Sequence, residues 1–163
     1  MAHLFKEGKM ASNHLDTYLA GVKLTAPVYD GTLVKLGNLI ADTTYIAEGD
    51  YEYDAYEGTT GNATADAIVD LADISEGQIG GNTYKMGAKL HNLQAEAGKI
   101  VRARRLALHD KFWLGADNFT TEELTAKKIV VADYDIVVLV EKDLTVGTKS
   151  EGKMYLCEVC KKA

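Results

Sequence analysis

Two cysteines near the end of the sequence have a spacing that can do chemistry. Cys157 and Cys160 are separated by two residues, as in tetrahedral metal sites and in redox motifs. A zinc site needs two further ligands, and the four histidines show no matching pair. The surrounding YLCEVC indicates a β-strand, in which the two sulfurs point to opposite faces. We therefore predict a structural role for both cysteines, with zinc binding and redox chemistry as alternatives.

His109 and Asp110 are adjacent, and a histidine with an orienting carboxylate can act as a general base. They stand where an apolar run meets KFWLG, which favours a turn between two strands. None of the three serines lies in a nucleophile elbow, and no carboxylate pair stands in an apolar setting that would separate its pKa values. We predict that the protein is not an enzyme and that it uses no cofactor and no metal.

All three arginines lie within four positions, at Arg102, Arg104 and Arg105, and the only tryptophan is Trp113. Arginine is a planar, permanently charged donor that suits fixed contacts with carboxylates and carbonyls. Tryptophan and arginine are also common anchors of protein interfaces. We predict that these four residues form a protein interface, with a place in the core as the alternative for Trp113.

The residues around the arginines alternate well enough to predict a strand. On such a strand Arg102 and Arg104 share one face and Arg105 takes the other. Two arginines can then serve one interface. We expect Arg105 to form an internal ion pair with the acidic stretch, at Glu52 or Asp54.

Other patterns along the sequence predict the elements that position these residues. Asp30-Gly31 between apolar runs predicts a β-hairpin over 22–39 with a type I′ turn. Helical spacing over 86–97, followed by Gly98, predicts a helix. Residues 44–57, with four tyrosines and five acidic residues, are interpreted as an edge strand, or alternatively as a docking surface or cation site. The sequence Thr120 to Glu123 matches a capping box.

Length and composition limit the architecture and the partners. A chain of 163 residues fits one domain, and we predict an N-terminal arm over 1–20 and a single β-rich domain over 21–163. The expected fold is mainly β, barrel-like or sandwich-like, with several short strands and one or two short helices. The net charge of −6 argues against direct nucleic-acid binding. No apolar run has the length of a membrane span, and the first residues lack a signal peptide's apolar core.

The region from Val28 to Val140 resembles small structural proteins of tailed bacteriophages. The shared features are a short helix ending in Ala-Gly-Lys, an arginine-bearing strand, a turn with leucine, aspartate and phenylalanine, and a Thr-Glu segment, with similar strands before and after. Here they are Ala97-Gly98-Lys99, Arg102 to Arg105, Leu108 to Phe112, Thr120 to Leu124, Gly31 to Leu39 and the closing VVADYDIVVLV. The family has glycine before the aspartate at position 110, where this chain has His109.

The resemblance implies a head decoration or cement protein that binds the major capsid protein lattice and stabilises the head. It implies self-association or many copies on the capsid, a place on the capsid exterior of the virion, and synthesis in the bacterial host cytoplasm. Two alternatives remain open. One is a tail, connector or fibre-attachment component, and the other is a small β-barrel ligand-binding domain or enzyme that uses His109, Asp110 and the acidic tyrosine-rich stretch.

Overall fold

The computed structural model describes residues 3–46, 52–71, 78–79, 82–83, 93–146 and 149–163. Within these ranges the chain forms fourteen β-strands, one short α-helix and isolated 3-10 turns. The strands are β1 Phe5–Glu7, β2 Leu19–Lys23, β3 Val28–Tyr29, β4 Leu33–Ile46, β5 Glu52–Thr60, β6 Ala67–Val69, β7 Gln78–Ile79, β8 Asn82–Thr83, β9 Gln94–Ala95, β10 Ile100–Arg105, β11 Lys111–Gly115, β12 Lys128–Val130, β13 Tyr134–Val146 and β14 Lys149–Lys161. The helix α1 is Thr121–Ala126, and the predicted mainly β fold is confirmed.

Five strands form a closed barrel in the order β10-β2-β5-β4-β6. β2 and β5 run parallel, while the other neighbouring pairs are antiparallel. The barrel interior is filled by small and branched side chains, because a five-stranded barrel leaves little room inside. They include Ala20, Val22, Val34, Ala67, Val69 and Ala103, all at most 1% exposed.

A five-stranded antiparallel sheet, in the order β1-β11-β14-β13-β12, packs beside the barrel. The core between the two layers contains Phe5, Phe112 and Ile136 from the sheet, and Leu33 and Ile68 from barrel strands β4 and β6. Neighbouring residues on β4 and β6 therefore serve different cores, since Val34 and Val69 point into the barrel. The sheet covers the barrel with one face only.

The predicted N-terminal arm is not confirmed, because the described part of residues 1–20 packs into the molecule. Phe5 is fully buried and Met10 is 3% exposed, and β1 pairs with β11. β2 crosses position 20 and supplies a barrel strand. Although this N-terminal segment is mostly polar, its buried apolar side chains hold it against the core.

The predicted hairpin at Asp30-Gly31 is corrected by the structure. The turn forms, and the amide of Thr32 donates to the carbonyl of Tyr29 at 3.2 Å. Only Gly31 has a positive φ, of 80°, so the turn is not type I′. β3 pairs with β9 instead of β4. The buried Asp30 carboxylate accepts from the backbone amides of Phe5 and Leu71, and so ties this turn to distant parts of the fold.

The predicted helix over 86–97 is wrong where it can be compared. Residues 94–95 form β9, and Gly98 lies in a turn with φ of 80°. Residues 86–92 lie outside the described residues.

Two other local predictions are confirmed. The arginine strand is β10, and the capping box at Thr120 forms both reciprocal hydrogen bonds with Glu123. Within the described residues, no helix has the length and apolar character needed to cross a membrane.

Candidate functional site

Arg104 lies inside a polar junction between the barrel and the N-terminal segment. Its Nε donates to Asp70 Oδ2 at 2.7 Å, and its Nη2 lies 2.5 Å from Glu7 Oε2. Its Nη1 donates to Ser12 Oγ at 3.0 Å and to Asn13 Oδ1 at 2.9 Å. The residue is 7% exposed. A guanidinium held by several oxygens in this way fixes one segment to another.

The other two arginines are more accessible than Arg104. Arg102 Nη2 lies 3.1 Å from Asp70 Oδ2, and its side chain is 35% exposed. The Arg105 guanidinium lies over the Tyr56 ring, 5.0 Å from its centroid, which is a cation–π geometry. The expected division is therefore wrong for Arg104, because Glu7, Ser12 and Asn13 enclose its guanidinium. Arg105 has an aromatic partner where an ion pair was expected.

Asp110 is 2% exposed, and it fixes the same N-terminal segment. Its carboxylate accepts from the amides of Ala11 and Ala107, both at 2.9 Å. Burial raises the pKa of the Asp110 carboxyl, while the two backbone hydrogen bonds act in the opposite direction. This carboxylate is committed to backbone amides rather than to a histidine.

His109 lies in the predicted turn, with a 77% exposed side chain. Its φ of 72° is one that glycine adopts easily, so the turn keeps the backbone that a glycine would give. Its Nδ1 is 3.6 Å from Glu158 Oε1. A hollow of about 500 Å³ beside it is lined partly by Lys9, His14 and Leu108. Among the described residues, no side chain of the acidic stretch over 44–57 lines this hollow. The alternative of an enzyme that uses His109, Asp110 and this stretch stays a prediction.

The two cysteines lie on opposite faces of β14, as predicted. Cys157 is fully buried in the core, and burial raises the pKa of its thiol to about 12. Cys160 is partly exposed on the other face. In the part of the chain that the structure describes, no group of three or more His, Cys, Asp or Glu residues could hold a metal ion.

Trp113 lies on the side of the five-stranded sheet that faces away from the barrel, here named the outer sheet face. Cross-strand register places Lys6, Trp113, Leu156 and Val140 in one row, from β1 to β13. Trp113 and Leu156 are partly buried, and Val140 is 49% exposed. The neighbouring Phe112 and Cys157 point to the inner core, as strand alternation requires.

Further apolar side chains extend the outer sheet face on both sides of this row. They are Val137, Met154 and Cys160, which are partly exposed, and Val130, which is 45% exposed. An exposed apolar surface of this kind that includes a tryptophan is typical of a protein-binding site.

Sequence reasoning singled out Trp113 but missed its apolar neighbours. A signal was present in the unbroken apolar run IVVLV, which makes both faces of β13 apolar. An antiparallel strand with one solvated face is expected to alternate instead. The departure from alternation marks a sheet with two apolar faces, one of which the barrel covers.

Comparisons with protein-family models, curated proteins and solved structures find no match for this chain.

Proposed function

We propose that this protein is a structural protein of a tailed-bacteriophage virion, a decoration subunit that binds the major capsid protein lattice and stabilises the head. The observation that carries the proposal is the outer sheet face, which has Trp113 on β11 at one end and apolar side chains of β14, β13 and β12 beyond it. Such a face is suited to contact another protein, because burying it removes apolar area from water without exposing backbone groups. The resemblance of residues Val28 to Val140 to small structural proteins of tailed bacteriophages supports a phage head as the particle.

The physical demands on a decoration subunit agree with this architecture. A subunit that repeats over a lattice needs a rigid body and an adhesive surface, and its weak contacts add up through multivalency. Here one apolar core fills the barrel and a second core joins the barrel to the sheet. The side chains that remain for binding then sit on strands, where their positions are fixed.

The four candidate interface residues have different roles in the proposed interface. Trp113 is the anchor, and Arg102 and Arg105 remain proposed contact residues because part of each side chain reaches the surface. Arg104 is assigned to the framework because residues 7–13 enclose it.

The test is co-sedimentation of the purified protein with capsids that lack it. We expect the wild type to bind and to raise the temperature at which the capsids break. Trp113→Ala should weaken binding about tenfold, since tryptophans are enriched among the interface residues that carry most of the binding energy. Leu39→Ala is the matched control, because Leu39 is 55% exposed and lies on a barrel strand.

Wild-type protein that never binds capsids would refute the proposal. Copy number in purified particles separates the decoration subunit from the tail alternative. A decoration subunit should be present in numbers comparable with the major capsid protein, and a tail or connector component in far fewer.

A further inference from the structure

A groove of about 890 Å³ lies on the barrel. Its described lining residues come from β2, β4 and β5, from the residues that follow β2, and from the turn before β10. None of them belongs to the five-stranded sheet, so the groove is separate from the outer sheet face. Leu24, which is 5% exposed, and Ile40, which is partly buried, give the groove an apolar part.

The groove lies over an irregular stretch of the pairing between β4 and β5. The register shifts by one residue between Leu36 and Leu39, so Gly37 and Asn38 together stand opposite Glu57. This is a β-bulge, and bulges are frequent beside binding sites because they interrupt regular pairing. A Cβ added at position 37 would lie 3.0 Å from the carbonyl oxygen of Glu57. The glycine therefore lets the two strands approach closely and places no side chain in the groove.

Two exposed lysines give the groove an excess of positive charge, although the chain as a whole has a net charge of −6. Among the described lining residues, Glu57 is the single carboxylate. Next to the groove, Glu96 and Lys99 form an ion pair at 3.3 Å and neutralise each other. Within the described part of the chain, neither Lys23 nor Lys35 forms an ion pair. A ligand for this groove should therefore carry negative charge at two points.

Strand register sets the spacing of the two lysines. Lys23 on β2 stands opposite Glu57, and Lys35 on β4 stands opposite Thr59. With neighbouring strands about 4.8 Å apart and a rise of about 3.3 Å per residue, the two lysine Cα atoms are roughly 12 Å apart. An extended peptide covers this distance in about four residues, and its alternate side chains share one face. Two carboxylates and an apolar side chain midway between them can then all face the groove.

We propose that this groove binds an extended acidic peptide segment of a partner protein, with an apolar side chain between two carboxylates at alternate positions. The carboxylates meet Lys23 and Lys35, and the apolar side chain covers Leu24. Glu57, between the lysines, disfavours the continuous negative charge of a nucleic acid. No aromatic side chain stands among the described lining residues to stack on a base. This binding is independent of the outer sheet face and goes beyond the proposed function.

The test is fluorescence anisotropy of a fluorescein-labelled peptide, Ser-Glu-Thr-Leu-Thr-Glu-Ser, titrated with the full-length protein. We expect saturable binding with a dissociation constant of about 0.1 mM that weakens as salt rises. Lys23→Glu and Lys35→Glu should each raise this constant about fivefold, because each replaces an attraction with a repulsion. Lys162→Glu is the matched control, since Lys162 is an exposed lysine outside the groove, and it should bind like the wild type.

A peptide of the same composition, Ser-Thr-Glu-Glu-Leu-Thr-Ser, tests the spacing of the carboxylates. It should bind about threefold more weakly, because adjacent side chains of an extended peptide point to opposite faces. Equal binding of the two peptides would show unspecific charge attraction and overturn the inference. No saturable binding up to about 1 mM would also overturn it, as would lysine variants that bind like Lys162→Glu.

A single-stranded oligonucleotide that binds the groove in place of the peptide, with the same dependence on both lysines, would overturn the assignment of the ligand. Neither peptide titration involves capsids or Trp113. A failure to bind peptide therefore leaves the proposed function standing, and a failure to bind capsids leaves this inference standing.

Discussion

The Arg104 junction and the outer sheet face differ in what covers them. Both come from strands that the sequence singled out for binding, and both contain residue types that proteins use at interfaces. In the Arg104 junction, residues 7–13 supply a carboxylate, a hydroxyl and an amide oxygen to the guanidinium. On the outer sheet face, the described part of the chain leaves Val140 and Val130 about half exposed.

The difference shows how residue type alone can mislead. Arginine suits an internal junction as well as an external contact, because a planar five-donor group can be satisfied by either. An apolar sheet face differs, because an apolar side chain that its own chain does not cover remains a surface for association.

The largest expected effect separates two neighbours on β11. Phe112→Ala should lower the free energy of unfolding by about 3–5 kcal/mol, because a fully buried ring leaves a cavity. Trp113→Ala should lower it by less than half as much, because Trp113 lies on the outer sheet face and is only partly buried. Urea unfolding of both variants measures the difference. Equal losses would show that the outer sheet face belongs to the folded core.

Loss of the Arg104 side chain should have the next effect. Arg104→Ala leaves Asp70, at 5% exposure, without one of its two guanidinium contacts, and the expected cost is about 3 kcal/mol. Arg105→Ala is the control, with an expected cost of about 1 kcal/mol from its contact with Tyr56. Thermal and urea unfolding measure both. A larger loss for Arg105→Ala would reverse the assignment of the two arginines.

Asp110 tests how the N-terminal segment depends on pH. Because burial raises the Asp110 pKa, the folded protein binds this proton more tightly than the unfolded chain does. The Asp110 contribution to stability is therefore full below the unfolded pKa and is lost as pH rises through the folded pKa. Unfolding free energies of wild type and Asp110→Asn between about pH 3 and about pH 7 measure it. The advantage of the wild type over the variant should shrink as pH rises, and an advantage that grows would contradict the assignment.

The smallest effect concerns the turn that joins the junction to the sheet. His109 has a φ of 72°, and Lys127 after α1 has a φ of 53°. His109→Gly should raise the free energy of unfolding by about 0.5 kcal/mol, because relief of about 1–2 kcal/mol of backbone strain exceeds the roughly 0.5–1 kcal/mol of entropy that glycine adds to the unfolded chain. His109→Val should lower it, because branched side chains resist positive φ. A stable His109→Val protein would mean that the turn has relaxed.

Local patterns were enough to predict much of the fold. The mainly β class, the strand at 100–105, the opposite faces of Cys157 and Cys160, and the capping box at Thr120 all depend on residues close together in sequence. The failures concern pairing. The Asp30-Gly31 turn formed, but β3 joined β9, because the turn does not choose the partner of the strand before it.

The sequence by itself determined which segments extend, where the chain turns, and which residue types could bind. Only the tertiary structure decided which strand faces are covered. Arg104 became internal because Glu7, 97 positions away, folds back onto it. Trp113 stayed partly exposed because the barrel packs against the opposite face of its sheet. Alternation along a strand assigns side chains to two faces, but long-range packing decides which of them meets water.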